Sequence, residues 1–245
     1  DVLPPLKRLG FWLTRGRKIA KLGDDPRIHR WADRLAAASP LRTPPERSES
    51  DEAVILFSGG TTGQPKGIVL SNRNFVSEGL QVAAWAGMEK NDAMLAILPL
   101  FHGFGLGVCV NAVLMAGGTS ILVPVFTPED VAKLLKKRRP TLLVGVPTLY
   151  DALAKNPLLR SADLSSLRAC FSGADSLPRP VKERFEALVR ERGGSVQLLE
   201  GYGLTEAVSA IMATPLGHYR EGSIGVPFPD IEVVVCAPGT TDEVP

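Results

Sequence analysis

Apolar and polar positions follow two different patterns along the chain, and the change falls near residue 51. Residues 1–50 are irregular, basic and rich in proline. From residue 51 to 245, short runs of consecutive apolar residues alternate with stretches in which apolar residues recur every three or four positions. The first pattern predicts buried strands and the second predicts amphipathic helices. Their alternation predicts an α/β fold, with a mostly parallel sheet covered by helices on both faces.

The same patterns give approximate bounds for the elements. Strands are predicted at residues 53–57, 68–70, 93–98, 121–123, 142–146, 169–172, 196–199 and 231–236. Helices are predicted at residues 31–38, 72–87, 104–115, 128–139 and 178–191, with another beginning at 147. Ser71 or Asn72 is expected to cap the second of these helices, and Thr127 followed by Pro128 is expected to start the fourth.

The composition is that of an ordinary water-soluble protein of 245 residues, with 44% hydrophobic residues, 22% charged residues and a net charge of +2. So small a charge gives no reason to expect nucleic acid as a partner. The three cysteines are far apart and have apolar neighbours, which favours buried free thiols in a reducing compartment. The sequence has no signal peptide and no apolar run long enough to span a bilayer, so we expect a cytoplasmic protein.

One basic segment could still contact a membrane peripherally. Six basic residues and no acidic residue lie between Lys7 and Lys21, interleaved with apolar and aromatic side chains. Such a segment can lie on an anionic lipid surface. Gly10 and Gly16 are expected to weaken any helix here, so a solvated face, or a surface covered by further chain, is the favoured interpretation.

Ten residues between two predicted strands have the composition of a phosphate-binding loop. Residues 58–67 read Ser-Gly-Gly-Thr-Thr-Gly-Gln-Pro-Lys-Gly. Glycines let backbone amides approach an anion, hydroxyls donate further hydrogen bonds, and Lys66 supplies a positive charge. The P-loop pattern does not fit, because Pro65 stands where its second glycine belongs and Gly67 where its hydroxyl belongs. We predict a loop between two strands that folds over a triphosphate; an ordinary flexible turn is the alternative.

Further candidate residues follow other predicted strands. In a parallel sheet the ligand lies outside the carboxyl ends of the strands, so four such ends are expected to meet in one cleft. They are Phe101-His102-Gly103, Val146-Pro147-Thr148, Ser172-Gly173-Ala174 and Gly201-Tyr202-Gly203-Leu204-Thr205-Glu206. The small residues of the third end allow a planar ligand to approach the backbone, although a tight turn would also require them.

Individual side chains at these ends have more than one interpretation. Thr205 and Glu206 could bind phosphate and the Mg²⁺ that accompanies a nucleotide, or they could simply begin a helix. Tyr202 lies between two glycines, so its ring could stack on a flat base; a core tyrosine is the alternative. His102 has no acidic or nucleophilic neighbour in sequence, so we expect it to border an apolar substrate rather than act as a base. A buried histidine is the alternative for His102.

Three stretches of the chain resemble the signature motifs of one enzyme family. Residues 57–67 resemble the AMP-binding signature of the adenylate-forming enzymes, which include acyl-CoA synthetases, luciferases and the adenylation domains of peptide synthetases. Residues 201–206 and 222–227 resemble the second and third signatures of that family. The glycine pair in the phosphate loop, and the basic, proline-rich segment before it, resemble the long-chain fatty-acid-CoA ligases.

This resemblance implies a reaction in two steps and a role for each candidate residue. A fatty acid carboxylate would attack the α-phosphate of Mg-ATP to give an acyl-adenylate and pyrophosphate, and the thiol of coenzyme A would then displace AMP. Lys66 would neutralise the pyrophosphate, Thr205 would contact the α-phosphate, Glu206 would hold the magnesium, and His102 would border the acyl group. The nucleotide would be held by Ser58, Gly59, Gly60, Thr61, Thr62, Gly63, Lys66, Gly173, Ala174, Gly201, Tyr202, Gly203 and Thr205.

The resemblance also implies that parts of such an enzyme are absent. The ribose-binding aspartate motif, the hinge and the C-terminal domain with its catalytic lysine would lie beyond Pro245. We therefore expect residues 51–245 to be the nucleotide-binding α/β portion of a larger adenylate-forming domain, preceded by the approach segment 1–50, and the chain alone to be nearly inactive. An enzyme that loads a carrier protein, or a nucleotide-binding module without chemistry, is the alternative to an acyl-CoA ligase.

Overall fold

The structure, a computed structural model, describes residues 4–18, 25–40, 43–59, 64–123 and 126–244. The chain divides into two compact units, Asp1–Glu46 and Arg47–Pro245. In the described part of the chain, no helix combines the length and the apolar character needed to cross a membrane.

Within its described residues, the first unit contains two short helices, α1 at Pro5–Thr14 and α2 at Trp31–Ala37, with a 3₁₀ turn at Gly16–Lys18. Helix α2 was predicted. Helix α1 was not, because two glycines were expected to weaken a helix in this segment. A proline in its first turn fits helical geometry, and a single interior glycine costs only about 1 kcal/mol. The helix therefore runs through Gly10 and ends before Gly16, with no buried side chain.

The second unit contains nine strands, within the residues that the structure describes. They are β1 Glu52–Ser58, β2 Lys66–Ser71, β3 Ala93–Ala96, β4 Thr119–Leu122, β5 Leu142–Gly145, β6 Ala169–Ser172, β7 Leu198–Gly203, β8 Ala210–Ala213 and β9 Val226–Pro227. Its α-helices are α3 Asn72–Trp85, α4 Val113–Met115, α5 Pro128–Arg138, α6 Pro147–Lys155 and α7 Arg179–Glu191. A π-helix, Phe104–Ala112, runs directly into α4, and 3₁₀ turns form at Pro157–Ser161 and Thr205–Ala207.

Seven of these strands form one sheet in the order β4-β3-β5-β6-β7-β8-β9. The first five in this order pair in parallel, and β8 and β9 extend the sheet with antiparallel pairs. The predicted α/β class with a mostly parallel sheet is confirmed. Strands β1 and β2 form a separate antiparallel hairpin, so the glycine-rich stretch does connect two strands, as predicted.

Helices cover both faces of the large sheet because successive strand residues point to opposite sides. On one face, α5, α6 and α7 pack on side chains such as Leu95, Leu143 and Cys170. On the other face, α3 and the π-helix pack on Met94 and Val144 among others. The central strands β3, β5 and β6 are thus almost entirely apolar, which is the property that made them recognisable in the sequence.

One strand predicted near the end of the chain does not form, and two strands that do form were not predicted. No regular strand forms at residues 231–236 in the described structure; only an isolated bridge joins Cys236 to Glu243, and Val233–Val235 are exposed. An apolar run becomes a strand only where a neighbouring strand can accept its backbone hydrogen bonds. The antiparallel strands β8 and β9 were not predicted: β8 is a four-residue apolar run that follows β7 after a short turn, and β9 has only two residues.

Candidate active site

An apolar cavity of about 280 Å³ opens at the carboxyl ends of β6 and β7. Three of the four predicted strand ends contribute to it. The contributing residues near its mouth are His102, Ser172, Gly173, Ala174, Gly201, Tyr202, Gly203, Leu204 and Thr205. The topology therefore brings these residues into one place, as the rule for parallel sheets predicts.

The fourth predicted strand end does not line this cavity, and that expectation is wrong. Residues 146–148 follow β5, where Pro147 is buried at the first position of α6. The helix then carries Leu149 and Tyr150 into the core on the opposite face of the sheet. Proline at this position sets the start of the helix, so the turn serves the fold rather than the cleft.

The β1–β2 hairpin reaches the same region through its inner face. Leu56 and Leu70 form a small buried cluster with Val208, which follows the Thr205–Ala207 turn, and both hairpin strands contact that turn. Ser58 and Lys66 face each other in the ladder at the end of the hairpin, immediately before and after its connecting loop. The predicted phosphate loop is thereby anchored beside the predicted magnesium residue.

The loop itself is only partly described. Ser58 is half-buried, Gly59 and Lys66 are exposed, and a Cβ atom at Gly59 would meet nothing within 4 Å. The predicted nucleotide-binding residues Gly60, Thr61, Thr62 and Gly63 lie outside the described residues. The described ends of the loop thus leave room for a ligand next to the positive charge of Lys66.

The turn after β7 depends on unusual backbone geometry. A Cβ atom at Gly203 would lie 1.9 Å from the carbonyl oxygen of Ser209, so only glycine permits this close return of the chain into β8. Val208 adopts a positive φ of 69° in the same turn. The result is that Thr205 lines the cavity and is half-buried, whereas the adjacent Glu206 is exposed to solvent.

His102 has a defined hydrogen bond at the mouth of the cavity. Its Nδ1 atom accepts the backbone N–H of Phe104 at 3.1 Å, so the proton of the neutral ring is on Nε2. The following Gly103 is required because a Cβ atom there would lie 1.8 Å from the carbonyl oxygen of Val208. These contacts hold the imidazole at the border of an apolar cavity.

Gly173, Ala174 and Tyr202 line the same cavity as His102. Gly173 is buried, and a Cβ atom there would lie 3.0 Å from Cζ of Phe104, whereas Ala174 is exposed and has a positive φ of 67°. Tyr202 is 45% exposed rather than part of the core. The exposed ring of Tyr202 and the exposed Ala174 form a flat wall suited to a planar group.

The deep part of the cavity was not identified from the sequence. It is lined by alternate residues of β5 and β6 and by one face of α3, together with residues near β8 and β9. They are Val82, Trp85, Ala86, Met88, Met94, Val108, Leu142, Val144, Ala169, Phe171, Ala210, Met212, Ala213 and Phe228. Apolar residues that face a cavity have the same pattern as core residues, so nothing in the sequence marked them.

The described residues contain no group of three or more His, Cys, Asp or Glu side chains that could hold a metal ion by themselves. One exposed carboxylate, that of Glu206, lies beside the cavity mouth. A single carboxylate fits Mg²⁺ that arrives with a nucleotide, because Mg²⁺ in such sites takes most of its ligands from phosphates and water.

Comparison with known proteins finds a family model that covers most of the chain. Residues 15–245 match the family described as AMP-binding enzyme. The chain is 36% identical over 241 residues to a long-chain-fatty-acid–CoA ligase of Bacillus subtilis (strain 168), covering 96% of this chain and 42% of that protein. It is 35% identical over 187 residues to a feruloyl-CoA synthase of Amycolatopsis sp, covering 75% of this chain and 37% of that protein.

Solved structures give the same relationship for the fold. The crystal structure of apo MatB from Rhodopseudomonas palustris superposes with a TM-score of 0.77 at 31% identity, covering 87% of this chain and 41% of that chain. The chain therefore spans about 40% of the length of the relatives that it matches.

Proposed function

Because this chain belongs to the AMP-binding enzyme family, we propose that it forms the ATP site and part of the acyl site of an acid–thiol ligase. The substrate is an apolar, fatty carboxylic acid, which the enzyme converts first to an acyl-adenylate and then to a coenzyme A thioester. The observation that supports this proposal is the convergence of three features: the hairpin loop with its lysine, the Thr205–Glu206 turn, and the mouth of an apolar cavity.

In the first step a carboxylate oxygen attacks the α-phosphorus of ATP, the bond to the bridging oxygen of the β-phosphate breaks, and pyrophosphate leaves. Phosphoryl transfer of this kind needs positioning and charge neutralisation more than a protein nucleophile. Lys66 would neutralise the departing pyrophosphate, and Thr205 would donate a hydrogen bond to the α-phosphate. Glu206 would hold Mg²⁺, which when bound neutralises phosphate charge.

In the second step the sulfur of coenzyme A attacks the acyl carbonyl, AMP leaves, and the thiol proton passes to solvent. Tyr202 and the backbone at Gly173–Ala174 provide the flat wall on which adenine would lie throughout. His102 borders the carbonyl end of the acyl group and separates it from water. The apolar deep cavity would hold the rest of the acid, because burying its methylene groups is favourable by about 0.8 kcal/mol each.

The proposal is tested by ATP–pyrophosphate exchange in the protein expressed from the complete gene, with carboxylic acids from acetate to palmitate and with aromatic acids. We expect exchange with apolar acids, and a loss of at least about 100-fold in Lys66→Ala and in Glu206→Ala, because each removes charge stabilisation at the reacting phosphates.

Lys137→Ala is the matched control, since Lys137 is an exposed lysine in the last turn of α5, away from the cavity. It should exchange at the wild-type rate. Unchanged exchange in both site variants would refute the residue roles. Absence of exchange with every acid, in a folded protein that binds ATP, would instead favour a nucleotide-binding module without chemistry.

A further inference from the structure

The deep cavity runs along the strands, from their carboxyl ends towards their amino ends. Near its mouth it is lined by residues at the carboxyl end of β6, and at its far end by Ala169, the first residue of that strand. Leu142, the first residue of β5, and Met94, the second residue of β3, also line the far end. An acyl group in this cavity would therefore lie along the strands, beneath α3.

The length of the cavity follows from the strand geometry. From Ser172 to Ala169, the two ends of β6, the chain advances three residues, and a strand rises about 3.3 Å per residue, so the part of the cavity beneath the mouth is about 10 Å long. A zigzag carbon chain with bonds of about 1.5 Å advances about 1.25 Å per carbon. This part of the cavity thus matches an extended chain of about eight carbons.

Aromatic and thioether side chains close the far end. Trp85, at the end of α3, packs against Phe228 with ring centroids 5.1 Å apart, and Met88 lines the same end. Phe228 is held under the helix because Gln81 donates a hydrogen bond of 2.7 Å from Nε2 to the carbonyl oxygen of Pro229. We call Trp85, Met88 and Phe228 the end wall.

A polar network fixes the end wall against the sheet. Arg168 donates to the carbonyl oxygens of Ala86, at 3.1 Å, and Gly87, at 2.9 Å, just after α3. The same guanidinium pairs with Asp92, which accepts a hydrogen bond of 2.6 Å from Thr141 Oγ1. Each residue of this network lies one or two positions before a residue that lines the cavity. Arg168 precedes Ala169, Thr141 precedes Leu142, and Asp92 lies two positions before Met94.

We propose that the end wall, held against the sheet by Arg168, sets the length of the acid that this site accepts, at unbranched apolar chains of about eight carbons. Trp85 is the specificity-determining residue and Arg168 a positioning residue that acts through α3. This inference rests on the proposed acyl-activating function, and it adds a length limit and the residues that impose it.

The test compares butyrate, octanoate and palmitate in two assays on the protein from the complete gene: calorimetric binding and ATP–pyrophosphate exchange. The wild type should prefer octanoate over palmitate by at least tenfold. Trp85→Ala should reduce this ratio at least tenfold by improving palmitate. Met88→Trp should shift the preference towards butyrate, and Leu80→Ala, an exposed position on the same helix, should change nothing.

Arg168→Lys keeps the charge but loses the pair of hydrogen bonds to the residues just after α3. This variant should accept a wider range of acid lengths, mainly through a lower KM for palmitate rather than a change in kcat. A purely structural role would lower kcat for all three acids equally.

If Trp85→Ala and Met88→Trp both leave the preference for acid length unchanged while exchange proceeds, the inference is overturned and the function stands. If the variants move length-dependent binding but no acid supports exchange, the function fails and the inference stands. Absence of binding to all three acids in the wild type overturns both.

Discussion

Arg168 and Asp92 form a two-point ion pair although 76 residues separate them, with Nε of the arginine 2.7 Å from Oδ1 of the aspartate. The aspartate side chain is only 6% exposed, whereas that of the arginine is 35% exposed. Burial raises the pKa of Asp92, but hydrogen bonds from Arg168, Thr141 and the backbone of Glu89, with the charge of Arg168, outweigh it and hold this pKa at about 2. The network is thus a stabilising contact as well as the clamp on α3.

Asp92→Asn should lower the free energy of unfolding by about 3 kcal/mol at pH 7, because it leaves the arginine without its buried partner. The contribution of the carboxylate is fully present above the unfolded pKa near 3.8 and is lost as the pH falls towards 2. Urea unfolding between pH 3 and pH 7 should therefore show a difference between variant and wild type that shrinks in acid.

Glu183→Gln is the control for that measurement, since Glu183 forms an exposed pair with Arg179 on α7. Exposed pairs contribute little, so this variant should unfold like the wild type. An equal loss of stability in both variants, or a loss in Asp92→Asn that does not change with pH, would contradict the assignment.

Glu78 carries a buried carboxyl group between α3 and the π-helix. Both oxygens would lie 3.0 Å from a Cβ atom at Gly107, so a larger residue there would force the carboxyl group to shift. Among the described residues neither oxygen has a hydrogen-bond partner of standard geometry. Burial raises the pKa of Glu78 to about 8, against a smaller lowering by the backbone amide of Ala210. The group is therefore a neutral acid in the folded protein at pH 7.

Because the unfolded chain ionises at a pKa near 4.5 and the folded chain does not, stability should fall as the pH rises from about 5 to 8. Glu78→Gln keeps the shape without this titration, and should exceed the wild type by about 3 kcal/mol at pH 7 and by little at pH 5. Thermal unfolding across this range measures the difference.

Glu191→Gln, at an exposed position near the end of α7, should leave the pH dependence of unfolding unchanged. Parallel stability curves for Glu78→Gln and the wild type would mean that Glu78 is ionised in the fold, and would disprove the interpretation.

Gly225 allows β9 to join the sheet. Its φ is 101°, and a Cβ atom there would lie 1.8 Å from the carbonyl carbon of Ala213 in β8. Gly225→Ala should cost about 3 kcal/mol or more, because backbone strain and a clash with backbone add together. Denaturant midpoints provide the measurement.

Gly222→Ala isolates the strain from the clash. Gly222 also has a positive φ, 74°, but a Cβ atom there would meet nothing within 4 Å. This variant should cost about 1 kcal/mol. Equal costs at the two positions would show that the close approach at Gly225 contributes nothing.

Much of the fold could be predicted from the sequence because its strands are covered on both faces and therefore read as short, uninterrupted apolar runs. Ser71 caps α3 through a reciprocal hydrogen-bond pair with Asn74, and Thr127 caps α5, as their positions suggested. Residues 231–236 have the same apolar character without a paired strand, so local pattern alone could not decide their structure.

The residues at the mouth of the site could be predicted from the sequence, and those that line the deep part of the cavity could not. Glycine-rich strand ends such as Gly201–Gly203 are rare enough to attract notice, and the topology of a parallel sheet places them together. Trp85 and Phe228 are 143 positions apart, and their contact exists only after α3 has packed on the sheet. No local signal distinguishes such residues from ordinary core.

The amino ends of β3, β5 and β6 line the far end of the cavity, so they would contact the substrate as well as stabilise the fold. In sheets of this kind those ends usually serve stability alone, while the opposite edge carries the ligand. Here Asp92, Thr141 and Arg168 hold the fold together next to the residues that would touch the tail of a substrate. Variants selected for a longer or shorter acid would therefore change thermal stability at the same time, so in this protein substrate range and robustness would evolve together.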